Sequence, residues 1–311
     1  MAWEPPRLKL GLVGCSWFAL RAHVPALLAL EQRVGVRLTA VCSRTRKSMA
    51  RAEAKIHAAD PEREVRRFAK MEQLFADADV DAVLLVLPIP LMPAAVEAAL
   101  RAGKHVLSEK PAAPSIEAAR RLLDAIAELG PRAPVWLVLE NWQFKPSVRW
   151  LRERLQEGAI GRVVSAHLSH HHPADPADRA AGGGREPPWR SQAGEGAWLV
   201  DAGVHWARLL REALGEPVEG SAALCSGADG AGGGSLCGWV RFEHCSSAAT
   251  LALSSGGPRR ASSSSSSSSS PASPASPPFS PPPPNPEDEV WPDLSLREPP
   301  PPPPRPRTLF G

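Results

Sequence analysis

Short apolar runs alternate with amphipathic segments up to about residue 130. The apolar runs are rich in Val and Leu and predict buried strands at Leu8–Val13, Arg37–Cys42, Ala82–Leu87, His105–Leu107 and Val135–Leu139. Such continuous apolar character is typical of parallel strands that are covered on both faces. The segments between them predict helices at Ala19–Leu30, Arg46–Ala58, Pro93–Ala102 and Ser115–Leu129. This alternation predicts a doubly wound parallel α/β sheet.

From about residue 140 the pattern changes to α+β. Pro146–Gln156 carries apolar residues on one helical face and is followed by Gly158, a typical residue just past a helix end. A second helix is predicted at Val204–Leu214, with strands at Arg162–Ser169, Trp239–Glu243 and Ala248–Leu253. We expect an open-sheet domain that is incomplete, because only three or four strands precede residue 255.

The last part of the chain has a different composition. From Ser254 onward, 36 of 58 residues are Pro, Ser or Gly, including an unbroken serine run at Ser262–Ser270. Such a segment cannot bury enough apolar surface to fold, so it predicts a disordered tail. Its proline runs suit docking to SH3- or WW-type domains, but a solvated tail without a partner, or a misjoined reading frame, is favoured. The predicted division is therefore 1–130, 131–255 and 256–311.

Composition excludes several classes of protein. The net charge is only +3, from 36 basic and 33 acidic residues that form no patch, which argues against nucleic acid as a partner. No apolar run approaches the roughly 20 residues that span a bilayer, so no membrane association is expected. The five cysteines form an odd set without a C-x-x-C pair, which favours a reducing, cytoplasmic location.

The end of the first predicted strand carries a candidate cofactor loop. It reads Gly14-x-Ser16-x-x-Ala19 and runs directly into a helix. In Gly-x-Gly-x-x-Gly/Ala loops, backbone N–H groups meet a pyrophosphate at a helix N-terminus. Ser16 replaces the middle glycine, and a plain strand–turn–helix is the alternative interpretation. The predicted cofactor-binding residues here are Gly11, Gly14, Cys15, Ser16, Trp17, Phe18 and Ala19.

The end of the second predicted strand bears on which dinucleotide binds. Sites that prefer NAD place an acidic residue here, against the ribose 2′-hydroxyl. No acid lies between Val41 and Ala50, and Ser43 and Arg44 instead supply a hydroxyl and a guanidinium that suit a 2′-phosphate. The sequence therefore predicts NADP, with NAD as the alternative and a merely solvated Arg44 as the plainer interpretation.

Three polar residues are candidates for catalysis. Lys110 follows the strand at His105–Leu107, where the carboxyl end of a central strand faces the ligand crevice. Asp201 and His205 are four residues apart on one helix face, so a carboxylate can orient an imidazole that acts as general acid or base. Taken singly, a surface lysine, a helix-capping aspartate and a buried histidine are plainer interpretations.

Together these motifs resemble the Gfo/Idh/MocA family of oxidoreductases. The resemblance rests on motifs that occur in order over about residues 8–255: Asp79–Val83, Leu87-Pro88, Ala102–Val106, Glu109-Lys110-Pro111, Glu157–Gly161, Asp201–His205, Leu214–Pro217 and Val240–His244. It implies a Rossmann domain followed by an open-sheet domain, with Lys110 as the catalytic lysine and Asp201 and His205 as its partners. It also implies that Glu109 lies near the nicotinamide ribose and that Pro88 lines the cofactor.

The resemblance implies an NAD(P)-dependent oxidoreductase that transfers a hydride between nicotinamide and a small sugar, polyol or similar hydroxyl or carbonyl compound. The alternative is a non-catalytic cofactor-binding regulator or scaffold. The sequence departs from the family at Ser16, at Arg208, where many relatives carry aspartate, and in its curtailed second sheet, which weakens an expected homo-oligomer interface. His170–His172 beside two aspartates is interpreted as a solvated loop and not as a metal site.

Overall fold

A six-stranded parallel sheet forms the amino-terminal part of the protein. The computed structural model describes residues 8–173, 197–226, 234–244 and 248–256. The strands are β1 (Leu8–Val13), β2 (Val36–Cys42), β3 (Arg66–Phe68), β4 (Ala82–Leu85), β5 (His105–Glu109) and β6 (Trp136–Leu139). They pair in the order β3-β2-β1-β4-β5-β6, so the strand order reverses where β1 lies between β2 and β4. In sheets of this order, ligands bind outside the carboxyl ends of the strands at that reversal.

Helices connect the strands of the parallel sheet, and further helices follow β6. A π-helical turn, Ala19–His23, leads into α1 (Val24–Val34), and the later helices are α2 (Arg46–Ala59), α3 (Met71–Phe75), α4 (Met92–Arg101), α5 (Ile116–Ala127), α6 (Pro146–Gln156) and α7 (Ala197–Leu214). Two of them begin with a capping hydroxyl: Thr45 accepts from the N–H of Ser48, and Ser115 accepts from the N–H of Ala118, each at 3.2 Å. Such caps satisfy N–H groups that have no partner in the first helical turn.

Both faces of the parallel sheet are covered. Leu12 and Leu84 belong to a buried cluster with residues of α1 and α2. Val13 and Leu85, one position further along the same strands, belong to a second cluster with residues of α3, α4 and α5. Because successive side chains point to opposite faces, burial on both faces requires a continuous apolar run, as at Leu10–Val13 of β1.

A second sheet follows in the carboxyl-terminal part. Its strands are β7 (Ala166–Pro173), β8 (Pro217–Ser226), β9 (Gly234–Phe242) and β10 (Ala248–Gly256), in the order β7-β10-β9-β8. β10 is parallel to β7 and antiparallel to β9, so the sheet is mixed. Leu210 and Leu214 of α7 form a small buried cluster with Phe242 and Ala249 of this sheet.

The predicted architecture is confirmed: a doubly wound parallel sheet is followed by a smaller mixed sheet with helices. Among the strands and α-helices of the described residues, β3, α3 and β8 were not predicted. His170–His172 belong to β7, so their interpretation as a solvated loop was wrong. Beyond Gly256, the predicted tail lies outside the described residues. No helix in the part of the chain that is described is long and apolar enough to cross a membrane.

Candidate active site

The turn after β1 lies at the reversal of strand order. Gly14 has φ +95°, and a Cβ atom there would lie 2.1 Å from the carbonyl oxygen of Val86, which follows β4. Its N–H donates to the carbonyl of Cys42, at the end of β2, at 2.9 Å. Only glycine combines this backbone conformation with this close approach. Gly14 therefore packs the loop tightly between its two neighbouring strands.

The residues after Gly14 begin the first helical segment. The Ser16 hydroxyl accepts from the N–H of Ala19 at 3.2 Å, which leaves its own hydrogen available for donation. Ala19 is fully buried, whereas Trp17 and Phe18 are 55% and 44% exposed. The Arg21 guanidinium lies 5.3 Å from the centre of the Trp17 ring. The loop thus presents a hydroxyl and two aromatic side chains at the carboxyl ends of the central strands, where a dinucleotide is expected.

Two of the candidate residues, Cys15 in this loop and Gly11 before it, are buried. Burial raises the pKa of the Cys15 thiol to about 12, with a smaller contribution from Cys42, and burial raises the pKa of Cys42 to about 11. Both thiols therefore stay protonated at neutral pH and are poor nucleophiles. Gly11 lies within β1, where a Cβ would meet the Leu74 side chain at 2.8 Å. Gly11 therefore packs against α3, and Cys15 can contact a ligand only through its backbone.

The end of β2 presents hydroxyls and exposed cations. The Ser43 hydroxyl lies 2.8 Å from that of Ser48, which also lies 2.7 Å from the Thr45 hydroxyl. Arg44 is exposed at the same turn, as are the following Arg46 and Lys47. This turn begins α2, so the positive end of a helix dipole adds to the cationic side chains.

The end of β5 carries two charged residues with different partners. The Glu109 carboxylate lies 2.6 Å from Nε2 of His23, and its second oxygen accepts from the N–H of Lys110 at 3.2 Å. The Lys110 ammonium donates to both the carbonyl and the carboxylate of Asp201, at 2.7 and 2.8 Å. The Lys110 and Asp201 side chains are 19% and 17% exposed, so this pair is sheltered and still reachable. This ion pair joins the end of β5 to α7.

The partner of His205 differs from the predicted one. Its Nδ1 lies 2.9 and 2.7 Å from the two carboxylate oxygens of Glu140, which follows β6. Asp201, which was predicted to orient this histidine, instead binds the Lys110 ammonium. The physical reason is competition: the Asp201 carboxylate is held by the Lys110 ammonium at 2.8 Å, whereas Glu140, which follows β6, brings both oxygens within 2.9 Å of the ring nitrogen. With Nδ1 held in this way, Nε2 is the nitrogen available to a substrate.

A tryptophan covers one face of the His205 ring. The Trp142 and His205 rings are stacked with their centres 5.0 Å apart and their planes at 9°. The Lys145 ammonium lies 3.6 Å from the centre of the Trp142 ring. Trp142 therefore restrains the orientation of His205.

Comparison with known proteins decides the family. Residues 8–136 match the oxidoreductase family with an NAD-binding Rossmann fold, and residues 148–268 match the GFO/IDH/MocA C-terminal domain. The chain belongs to the Gfo/Idh/MocA family. The resemblance inferred from the sequence motifs is thereby confirmed.

Relatives in this family include sugar reductases. A dTDP-3,4-didehydro-2,6-dideoxy-α-D-glucose 3-reductase from Streptomyces violaceoruber is 35% identical over 211 residues, which are 67% of this chain and 55% of that protein. An oxidoreductase structure from Thermotoga maritima has 29% identity and a TM-score of 0.68, covering 80% of this chain and 72% of the other. A 3-ketoreductase from Actinomadura kijaniata, solved with NADP and TDP-benzene, has 29% identity and a TM-score of 0.62, covering 80% and 70%. The chain spans little more than half of the length of the first curated relatives it matches.

The cofactor of the Gfo/Idh/MocA family fits the residues present. Gly14 makes a tight turn against Val86, and Pro88, half-buried, follows β4 on the other side of the strand-order reversal, where sheets of this order bind their ligands. Ser16 in place of a glycine leaves a small side chain and an added donor. We find no steric reason in the described loop for excluding a dinucleotide.

Three contact residues went unrecognised in the sequence: His23, Glu140 and, as a stacking partner of His205, Trp142. Glu140 directly follows the predicted strand Val135–Leu139. Lys110 was singled out because it lies just after a strand, and the same criterion applied to every predicted strand would have identified Glu140. Arg208, the departure from the family pattern, donates to the Gln143 side chain at 2.5 Å and pairs with Glu212. Arg208 therefore contacts the short turn at Trp142–Phe144, which precedes α6, and a neighbour on its own helix.

Proposed function

We propose that this protein is an NADP-dependent oxidoreductase that acts on a sugar, polyol or similar small hydroxyl or carbonyl compound. The observation that carries the proposal is the pairing of Lys110, at the carboxyl end of β5, with Asp201 of α7 beside the held His205. Membership of an oxidoreductase family supports it, as does the sugar 3-reductase activity of the Streptomyces violaceoruber relative.

The roles follow from the chemistry of each group. When bound, the nicotinamide supplies or accepts the hydride at a substrate carbon. Lys110 donates a hydrogen bond to the oxygen on that carbon, and Asp201 holds the ammonium in place before substrate arrives. His205 moves the proton to or from that oxygen through Nε2, while Glu140 holds Nδ1 and stabilises the positive charge that the ring acquires. The substrate oxygen thus meets a fixed donor and a proton carrier.

We assign NADP as the preferred cofactor because Arg44, Arg46 and Lys47 are exposed at the turn where a ribose 2′-phosphate is expected. The bound NADP of the Actinomadura kijaniata relative is in line with this assignment. Fluorescence titration of NADPH and NADH tests it. We expect tighter binding of NADPH, and Arg44→Ala should weaken NADPH selectively, whereas Arg51→Ala, an exposed arginine further along α2, should change neither. Equal affinity for the two cofactors would overturn the assignment.

The substrate class is tested by turnover. Purified protein is supplied with NADPH and a panel of keto-sugars, inososes and deoxy keto-sugar nucleotides, and with NADP⁺ and the matching alcohols, while cofactor absorbance is followed. We expect at least one compound to be turned over, and Lys110→Met to lose on the order of 10²- to 10⁴-fold in kcat. Lys55→Met, on α2, provides the control with no expected effect. Binding of NADPH without turnover of any compound would instead support a non-catalytic regulator or scaffold.

A further inference from the structure

His23 and Glu109 form a sheltered pair that the proposed reaction does not use. They are 86 residues apart in the sequence, with side chains 17% and 12% exposed. The distance from His23 Nε2 to Glu109 Oε1 is 2.6 Å, which is at the short end for a hydrogen bond to a carboxylate. His23 ends the π-helical turn that follows the cofactor loop, and Glu109 immediately precedes Lys110.

The backbone explains how His23 reaches this position. A π turn accommodates one more residue than an α turn, so it rotates the side chains that follow it relative to those before it. Ala19 and Val24, on either side of this turn, are both fully buried and fix the helix against the sheet. His23 lies between them with its ring directed at the end of β5. π turns inside helices occur frequently at functional sites.

Each member of the pair also touches a residue of the site. The His23 ring meets Phe18 of the cofactor loop edge-on, with ring centres 5.3 Å apart and planes at 89°. The second oxygen of Glu109 accepts from the N–H of Lys110 at 3.2 Å. Contacts therefore run without a gap from the cofactor loop through His23 and Glu109 to Lys110, and from Lys110 to Asp201.

We propose that His23 is a positioning residue, which holds the Glu109 carboxylate and through it the backbone of Lys110. The inference rests on the proposed function, because the role given to His23 is to keep the Lys110 ammonium correctly placed relative to the cofactor loop. Without the imidazole, one carboxylate oxygen loses its partner, and Glu109 can turn away from the Lys110 N–H. A displacement of about 1 Å at a reacting group can cost on the order of 10²-fold in rate.

The test compares His23→Leu, which removes the hydrogen bond, with His23→Gln, which keeps an N–H group at a similar reach. His57→Leu is the matched control, because His57 is also a half-buried histidine of this sheet domain, with its Nε2 2.8 Å from the backbone carbonyl of Arg63. Three quantities are measured: the Kd for NADPH, kcat and KM with a substrate from the panel, and hydrogen exchange at the Lys110 amide.

We expect His23→Leu to lower kcat or raise the Kd for NADPH by about 10- to 100-fold and to speed exchange at the Lys110 amide. His23→Gln should recover most of each loss, and His57→Leu should affect only thermal stability. If His23→Leu and His57→Leu behave alike in all three measurements, the pair is only a link between helix and strand and the inference is wrong. If the wild type binds no NADPH, the proposed function fails, and the exchange rate at Lys110 alone decides the positioning role.

Discussion

Replacing Glu140 by glutamine should slow turnover without unfolding the protein. The Glu140 carboxylate, 13% exposed, meets His205 Nδ1 at 2.7 and 2.9 Å and accepts from the N–H of Trp142 at 2.8 Å. Glutamine retains a carbonyl oxygen that can accept from both donors, but it carries no charge. Glu140→Leu, in contrast, leaves both donors without an acceptor.

The two substitutions differ in magnitude for a physical reason. A hydrogen bond to a charged group contributes about 1.5–3 kcal/mol and a neutral one about 0.5–1.5 kcal/mol, so Glu140→Gln removes about 1–2 kcal/mol of support for a protonated His205. That loss corresponds to about 5- to 30-fold in kcat. Two orphaned donors cost about 1–3 kcal/mol each, so Glu140→Leu should lower the unfolding free energy by about 2–6 kcal/mol.

Steady-state kinetics and urea unfolding measure these two effects separately. Glu157→Gln serves as the control, because this exposed residue pairs with Arg154 at the surface of the helix end and should change neither quantity. The reasoning is refuted if Glu140→Gln turns over substrate at the wild-type rate. It is equally refuted if Glu140→Leu is as stable as the wild type, since the carboxylate would then not be holding either donor.

Three further predictions concern stability and thiol chemistry. Lys104 is 9% exposed, and its ammonium donates at 2.7 Å to two backbone carbonyls, one of them that of Asp77. Lys104→Met should therefore lower the unfolding free energy measured by urea titration by about 2–4 kcal/mol. A variant as stable as the wild type would contradict this. Burial opposes ionisation of Asp77, but a backbone N–H and the Arg66 guanidinium outweigh it and lower the pKa of this carboxyl. The stability that the Asp77 carboxylate contributes is therefore present above the usual pKa of an aspartate and is lost as the pH falls through its lowered pKa. The difference in unfolding free energy between wild type and Asp77→Asn should shrink in acid. A difference that does not change with pH would contradict the lowered pKa. Iodoacetamide near pH 8, followed by peptide mapping, should leave Cys15 and Cys42 unmodified in the native protein and modify both in urea, because their pKa values are about 12 and about 11; rapid native labelling would refute their burial.

Much of the fold was predictable because two-sided burial leaves a strong signal. β1, at Leu8–Val13, was predicted with its observed bounds, since its buried part, Leu10–Val13, is covered on both faces and lacks polar side chains. β3, at Arg66–Phe68, escaped prediction because an edge strand of three residues carries two arginines and no periodicity. β8, at Pro217–Ser226, is dominated by Gly, Ala and Ser, which favour strands poorly.

The residues of the site were predictable one by one, but their pairing was not. The spacing of Asp201 and His205 correctly placed both on one helix, and the i,i+4 rule then suggested that they act on each other. The observed partners of these two residues, Lys110 and Glu140, come from 91 and 65 positions away. Such contacts depend on how two domains meet, which local periodicity does not encode. His23 and Glu109 lie in one domain, but they are 86 residues apart, and local periodicity does not encode that contact either.

The most direct test of the proposed function follows deuterium from reduced cofactor to product. NADPH that carries deuterium at the nicotinamide C4 position is incubated with the protein and a substrate from the panel, and the product is analysed by mass spectrometry and NMR. The account predicts that the label appears on the carbon that bears the new hydroxyl group, and that Lys110→Met abolishes this transfer while NADPH still binds. Label that stays in the cofactor, or transfer that persists undiminished in Lys110→Met, would contradict it.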